Sequence, residues 1–354
     1  GSGHVMRCRT LARELKRRGS PVTFLCRRQR GDLIGLLEQE FPVLILPELP
    51  LSTAQGLQGR ELYSTWLGCS QDQDAADSLK ALAQAGIRSA SWLVVDHYGL
   101  DAAWETQMLA GLAVNDAAAP RLLVVDDLAD RSHQADLLLD QNFFGSETET
   151  RYLGLVPEHC RQLLGSRYAL LGPEYAQLHP LVPPRMELRR VLVFFGADPN
   201  NLTSRALEAL LAPELAHLAV DVVLGMQSPY RRAVTELVDC RPHTMLHAPL
   251  PSLAGLIARA DLAIGAGGAT TWERACLGLP SLVVAIADNQ LPFAVALDQV
   301  GAIQLLGDAA SVSDKQIYQA VLAVLKDRWP RRSGHDLTDG RGATRVADSF
   351  IPLS

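Results

Sequence analysis

The sequence predicts an α/β protein made of two doubly wound, Rossmann-like domains facing across a cleft. Three observations predict it. Short β-branched apolar runs alternate with amphipathic stretches almost from end to end. The runs are nearly continuous in apolar character, as strands of a parallel sheet covered on both faces must be. The scheme then repeats on the far side of a proline-rich run, in a chain of 354 residues that is 48% hydrophobic and 20% charged, enough for two cores.

In the first half, "PVTFLC", "PVLIL", "SWLVVD", "RLLVVDD" and "ADLLLD" read as strands, with helical patterns over residues 5–18, 71–85 and 102–113. The stretch from "FFGSETET" to "MELR" is less periodic and ends in prolines, which places the linker near residues 180–188. In the second half, "RRVLVFFG", "LAVDVVLG", "ADLAIGA", "SLVVAI" and "AIQLLG" are strands, each followed by a helical segment. The expected domains are 1–183 and 184–354, with the last helix crossing back to the first domain.

A net charge of −6 leaves no electrostatic footprint for nucleic acid or an anionic membrane. The six cysteines are scattered without a C-x-x-C pair, which suggests reduced thiols and no zinc site. No apolar run approaches 18 residues and no signal-peptide pattern is present, so the expected location is the cytoplasm.

Ligands of open α/β sheets bind at the carboxyl ends of the strands, and glycine-rich strand-to-helix loops there attract phosphate. The strongest such loop is "ADLAIGAGGATTWERACLGLP": Gly265, Gly267 and Gly268 leave a strand, and Ala269, Thr270 and Thr271 open a helix. Glu273 either closes a capping box with Thr270 or accepts hydrogen bonds from a ribose diol. The competing reading is a tight capped turn without a ligand.

The second loop opens the chain. Gly1, Ser2, Gly3 and His4 precede a helix whose apolar positions Val5, Cys8, Leu11, Ala12 and Leu15 run until Gly19. His4 falls at or just before the helix N-terminus, where the dipole favours a neutral imidazole. The rival account is a purification-tag remnant. A dinucleotide fingerprint fails, because Met6 holds the third glycine position and the next strand ends in "LCRRQR" without an acid; Arg27 or Arg28 leaves an NADP enzyme as a minor alternative. A βα unit that begins at its loop lacks its strand, so roughly 10 to 15 residues are expected to be missing upstream, replaced or supplied otherwise.

Together, "GSGHVMRCRTLARELKRRG", "VVDHYGLDAAWE", "VVDDLADRSHQADLLLDQN", "LLGPEYA", "FFGADPNNLT" and "AIGAGGATTWERACLGLPSLVVAIADNQ" resemble the UDP-2,4-diacetamido-2,4,6-trideoxy-β-L-altropyranose hydrolase of pseudaminic acid biosynthesis. The likeness covers nearly the whole chain. It implies a glycosyltransferase-B-like fold in which water replaces the sugar acceptor, and hydrolysis of a UDP-sugar with inversion, without metal or other cofactor, in a cytoplasmic route to a nonulosonic acid of flagellin or surface glycan. Transient contact with other enzymes of that route is the expected partnership. The resemblance also supports a native origin for His4. One departure is visible: Ala197 follows Gly196 where two glycines are expected.

On this resemblance, His4 is the catalytic base, and Gly267, Gly268, Ala269, Thr270, Thr271, Glu273, Gly196 and Leu250 bind UDP. Amides of Gly268, Ala269 and Thr270 hold the diphosphate, Glu273 the ribose, and the backbone of "LHAPLP" the uracil. Gly3, Arg7, Tyr63, Asp96, Tyr98, Asn289 and Gln290 serve the sugar and diphosphate.

Other polar residues have structural readings. Asp96, His97 and Tyr98 end a strand, where capping the next helix competes with function. Asp126 and Asp127 read as a strand-end turn, and Tyr63 serves equally as packing. Asp72 and Asp74 imitate a metal-binding D-x-D, but Ser70 before them marks a helix start. His243 and His247 flank a strand and read as structural. Three functions stand: a UDP-sugar hydrolase, a glycosyltransferase of the same fold, and a UDP-sugar-binding protein without turnover.

Overall fold

A computed structural model describes residues 2–29, 31–49, 57, 59–113, 119–225, 228–326 and 334–350. The chain divides into two compact units. One comprises Gly1–Asn142, Ser146–Leu170 and Ala343–Ser354; the other comprises Phe143–Gly145 and Leu171–Gly342. Residues 180–188 lie inside the second unit.

In the first unit, β1 (Phe24–Arg27) and β2 (Val43–Leu46) form a two-stranded parallel sheet. Strands β3 (Trp92–Val95), β4 (Arg121–Val125), β5 (Leu137–Asp140) and β6 (Arg161–Leu164) form a parallel sheet in that order. β6 lies in the stretch whose sequence shows little periodicity, since its first two residues are Arg161 and Gln162 and only the last two are buried. Leu122, Val124 and Leu138 pack with Trp104, Met108 and Leu112, while Leu123, Val125, Leu137 and Leu139 pack with Leu11 and Leu15. Ala343, Val346 and Ala347 of the helix Gly342–Asp348 join this second cluster. Each fully buried aliphatic side chain contributes about 1.5–3 kcal/mol.

The opening helix spans Ser2–Arg17, so His4 lies within its first turn. Gly19 ends it at φ 87°, and Ser20 N–H donates to Leu15 O at 3.0 Å, a left-handed cap. Its basic residues are neutralised locally: Arg9 and Arg13 pair with Glu40, and Arg17 and Arg18 with Glu14. Arg27 is engaged by Asp74 at 2.7 Å and Asp77 at 3.0 Å, which removes it as a 2′-phosphate ligand.

The second unit holds one six-stranded parallel sheet: β7 (Arg190–Phe194), β8 (Ala219–Val223), β9 (Thr244–His247), β10 (Leu262–Ala266), β11 (Ser281–Ala285) and β12 (Gln304–Asp308), in the order β12-β11-β10-β7-β8-β9. The chain winds outward one way from β7 and the other way from β10, so the topological switch point lies between these two strands. Val191, Val193, Ile264, Leu282 and Val284 pack with Leu207 and Leu210 and with Ile317 and Val321 from the flanking helices. Among the described residues, no helix is long and apolar enough to cross a membrane, and no group of three His, Cys, Asp or Glu could hold a metal ion. The described cysteines are free.

Candidate functional site

In the first unit, the ends of β3 and β4 meet the first turns of the opening helix. His4, Arg7 and Cys8 are spaced i, i+3, i+4 and share one helix face. All three converge on Asp96, the residue after β3. Arg7 donates from Nε to Asp96 Oδ2 at 2.7 Å and from Nη2 to Oδ1 at 2.6 Å, a bidentate fork. Its Nη1 reaches Asp127 Oδ2 at 3.0 Å, and Cys8 Sγ donates to Asp96 Oδ2 at 3.2 Å.

His4 Nδ1 lies 2.5 Å from Asp96 Oδ1. Two bare lone pairs at that distance would repel, so Nδ1 carries a hydrogen directed at the carboxylate. No hydrogen bond engages Nε2 among the described residues. Burial pushes the Asp96 carboxyl up, but the charges of Arg7 and His4 and their hydrogen bonds hold it well below the usual carboxylate range. The arrangement is a histidine oriented by an ionised carboxylate that a guanidinium fixes in place.

Tyr98 packs edge-on to His4, with ring centroids 4.5 Å apart, and its hydroxyl interacts with Asp127. Tyr63 follows at 5.2 Å from Tyr98, and Trp66 lies 5.0 Å from Tyr63 and 6.0 Å from Tyr98. The turn beneath them needs Gly99: a Cβ there would sit 2.9 Å from Tyr63 O and 3.1 Å from the His97 ring. His97 is structural. Its Nδ1 accepts from Gly99 N–H at 3.0 Å, and burial, with the charge of His4, lowers it to about 4. Gly3 sits beside His4 in the helix with open space where a Cβ would stand.

In the second unit, the loops after β7 and β10 flank the switch point. Gly265 makes the strands' close approach possible, because a Cβ would meet Phe194 O at 2.5 Å and Arg274 Nη1 at 2.6 Å. Gly267 N–H is consumed by Val284 O at 3.1 Å. The next three amides, of Gly268, Ala269 and Thr270, donate to no backbone acceptor among the described residues. Gln290 covers this loop: its Oε1 lies 3.4 Å from the Cβ position of Gly267 and its Nε2 3.7 Å from that of Gly268. Asn289 lies in the same turn, Asp288–Gln290. Thr271 belongs to the scaffold, being 1% exposed with its hydroxyl accepting from Arg274 Nη2 at 3.0 Å.

The capping box expected as the alternative for Glu273 does not form. The helix spans only Thr270–Cys276, its N-cap is Ala269, and no side chain caps it. Glu273 Oε2 is instead buried without a well-formed hydrogen bond. Burial raises the carboxyl to about 7 against the opposing influence of the Tyr175 hydroxyl and Arg274. Burial likewise lowers Arg274 to about 10.

Gly196 is needed for its left-handed φ of 70°. The following alanine is accommodated, because the other left-handed positions of the loop fall on Asp198 and Asn201, and Ala197 is exposed. Asp198, buried, caps the helix Leu202–Leu210 through the amides of Leu202 at 2.7 Å and Thr203 at 3.0 Å. Leu250 is 42% exposed after the edge strand β9, three strands from β10. Ser252, two residues on, interacts with Tyr175 and so brings this segment toward Glu273.

The D-x-D imitation is resolved as a helix start: Ser70 accepts from Gln73 N–H, Asp72 bonds Gln107 at 2.5 Å and Asp74 bonds Trp104 Nε1 at 3.0 Å. His247 pairs with Asp221 at 2.7 Å. Sequence reasoning passed over Trp66 and Tyr175, for which local pattern carries no signal. It also read Asp127 as turn chemistry, though that residue closes the Arg7 network.

No protein-family model matches the chain. It is 32% identical over 190 residues to the spore coat polysaccharide biosynthesis protein SpsG of Bacillus subtilis, covering 49% of this chain and 56% of that protein. It is 22% identical over 302 residues to the uncharacterized protein MJ1062 of Methanocaldococcus jannaschii, covering 82% of this chain and 54% of that protein. The chain thus spans little more than half the length of either curated relative. Among solved structures it is similar to MurG of Acinetobacter baumannii, with a TM-score of 0.59, 14% identity and coverage of 98% of this chain and 96% of that one. With these neighbours and its parallel sheets, the chain has the glycosyltransferase-B-type α/β fold of two Rossmann-like units.

Proposed function

We propose that the chain is a UDP-sugar hydrolase that releases a 2,4-diacetamido-2,4,6-trideoxyhexose from UDP in the making of a nonulosonic acid. The observation that carries this reading is the His4–Asp96 pair, with Nδ1–H spent on the carboxylate and Nε2 left to take a proton. The resemblance of the sequence motifs supports the substrate class, and the likeness to SpsG, a spore coat polysaccharide biosynthesis protein, is in keeping with it.

A glycosyl diphosphate carries a good leaving group, so the protein has two tasks: to hold the charge that develops on UDP and to activate one water. The unpaired amides of Gly268, Ala269 and Thr270 hold the diphosphate. Gln290 and Asn289 flank it, and Glu273 takes the ribose hydroxyls. Water's oxygen forms the new bond to the anomeric carbon as its proton passes to His4 Nε2. The bond from that carbon to the diphosphate oxygen breaks, and UDP leaves with the electron pair. Attack opposite the leaving group inverts the centre. Asp96 keeps the tautomer and ring orientation throughout.

Time-resolved proton NMR of the UDP-linked diacetamido sugar, run beside His4→Ala, tests the proposal. UDP release with one inverted anomer appearing first, lost in the variant, is expected. UDP binding without sugar release by the unaltered protein would sink hydrolysis and favour a transferase of the same fold.

A further inference from the structure

Behind the glycine loop of the second unit lies a cation that its surroundings do not explain. Arg274 is 3% exposed, and Leu192, Phe194, Leu253 and Ile257 line a small cavity beside it. Its hydrogen bonds go to neutral oxygens, Ala266 O at 2.8 Å and Thr271 Oγ1 at 3.0 Å, both from Nη2. Nε is buried without a well-formed hydrogen bond, and no salt bridge engages the guanidinium among the described residues. A cation buried among apolar side chains without a counter-charge is costly to the fold, so its presence calls for a reason.

The two oxygens that Arg274 holds stand at the two ends of the loop. Ala266 closes β10 and Thr271 follows Thr270, so one nitrogen ties off the four residues between them, 267–270. Three of those residues, Gly268, Ala269 and Thr270, have the amides with no backbone acceptor. Gly265 makes room for the guanidinium, since a Cβ there would meet Nη1 at 2.6 Å. Residues 195–201, 267–270 and 286–290, which follow β7, β10 and β11, contain no Lys or Arg. Among these loops the positive charge at the root of the glycine loop is therefore Arg274, and in a poorly polarisable interior a charge acts through its neighbours without contact.

We infer that Arg274 is a positioning residue for the diphosphate: without touching it, the guanidinium ties residues 267–270 into shape and sets a counter-charge behind their amides. The inference rests on the UDP-sugar reading and adds to it the group that fits a loop without Lys or Arg to an anion. The bound diphosphate in turn balances a charge that the free protein leaves uncompensated.

Calorimetric affinities for uridine and for UDP test the role. Their ratio is the readout, because any change at the Glu273 carboxyl weighs on both ligands and cancels. Arg274→Met puts an apolar side chain into apolar surroundings, so the fold should hold while the preference for UDP over uridine falls at least ten-fold. Arg274→Lys, which keeps a charge and has donors for both oxygens, should restore part of that preference. Thr271→Val cuts one tie and leaves the cation in place; it should lower the preference by less than Arg274→Met, and it decides the matter if that variant does not fold. Uridine and UDP weakened equally, a preference unchanged by Arg274→Met or Thr271→Val, or a lysine no better than methionine would overturn the inference. An unaltered protein that binds UDP no better than uridine would refute the diphosphate site and the role of Arg274 together. Sugar release plays no part in these affinities, so its failure would count against hydrolysis alone.

Discussion

Replacing Glu273 with Gln should make the second unit more stable and its nucleoside binding weaker, a combination that a purely structural carboxyl cannot give. Burial raises the carboxyl from 4.5 to about 7. A displacement of about 2.5 pH units corresponds to about 3 kcal/mol between its two protonation states. The folded state keeps this proton up to about pH 7 and the unfolded chain releases it near 4.5. The group's contribution to stability is therefore complete below pH 4.5 and lost as pH rises to about 7. Above that, a bare buried carboxylate burdens the fold and glutamine does not. Thermal unfolding of the two proteins should nearly coincide at pH 5. At pH 8.5 the variant should melt higher by roughly 6–12 °C, at about 2–4 °C per kcal/mol for a unit of this size. Calorimetric titration with uridine at pH 8.5 should show at least a ten-fold loss of affinity, because the ribose diol loses an ionised acceptor. A variant less stable at pH 8.5, or a stability difference that does not move with pH, would refute the account.

Asp96→Asn leaves Arg7 and His4 with a neutral partner and permits the wrong tautomer. Turnover should fall about 10³–10⁴-fold while UDP affinity holds, and a matching loss of UDP affinity would count against the orienting role. Gly265→Ala puts a methyl 2.5 Å from Phe194 O, so a steep drop in melting temperature and in UDP affinity is expected. Ser70→Ala removes the cap of the helix Gln71–Gln84 at a cost of about 1 kcal/mol in chemical denaturation, and incubation with a chelator should leave turnover as it was, since Asp72 and Asp74 are committed to Gln107, Trp104 and Arg27.

The β-branched runs placed the strands because parallel sheets demand near-continuous burial, and "VLVF" and "LAIGA" satisfy it without help from distant residues. β6 was hidden, since Arg161 and Gln162 are polar and only the pairing with β5 makes them a strand. The glycine loop was legible because unpaired amides need small residues nearby. What local pattern could not show was partnership. Nothing in "LVVDHYG" says that Asp96 will meet an arginine 89 positions away, nor does "ELYSTWLG" show that Trp66 lies against Tyr98. Glu273 was ambiguous for the same reason: a capping box and a buried lone carboxylate share one local spacing, and only the start of the helix at Thr270 separates them.

Three adjacent strands of the first unit, β3, β4 and β5, end in aspartates whose neighbours send them different ways. Asp96 and Asp126 are buried, which raises both, yet Arg7 and Arg131 prevail and hold them low. Asp140 accepts from the Asn142 amide at 2.9 Å and pairs with Arg151 at 3.4 Å, yet burial with the charge of Asp127 carries it to about 8. Tyr152 hydroxyl lies 3.1 Å from an oxygen of each of Asp126 and Asp140. It has one hydrogen, which belongs to the ionised Asp126, so the protonated Asp140 donates to Tyr152 in turn. Asparagine at position 140 can also donate from its amide, and Asp140→Asn should lose no stability at pH 6. The raised carboxyl favours folding fully below its ordinary 3.8 and loses that contribution as pH rises to about 8, so the variant should gain on the unaltered protein across that interval, with its full advantage at pH 8 and above. Asp126→Asn instead takes a buried counter-charge from Arg131, leaving it Asp130 at 2.9 Å, and should cost up to about 3 kcal/mol in chemical denaturation at neutral pH. Equal losses in the two variants at pH 6 would mean that the proton does not sit on Asp140 and that both carboxylates are held by their cations alone.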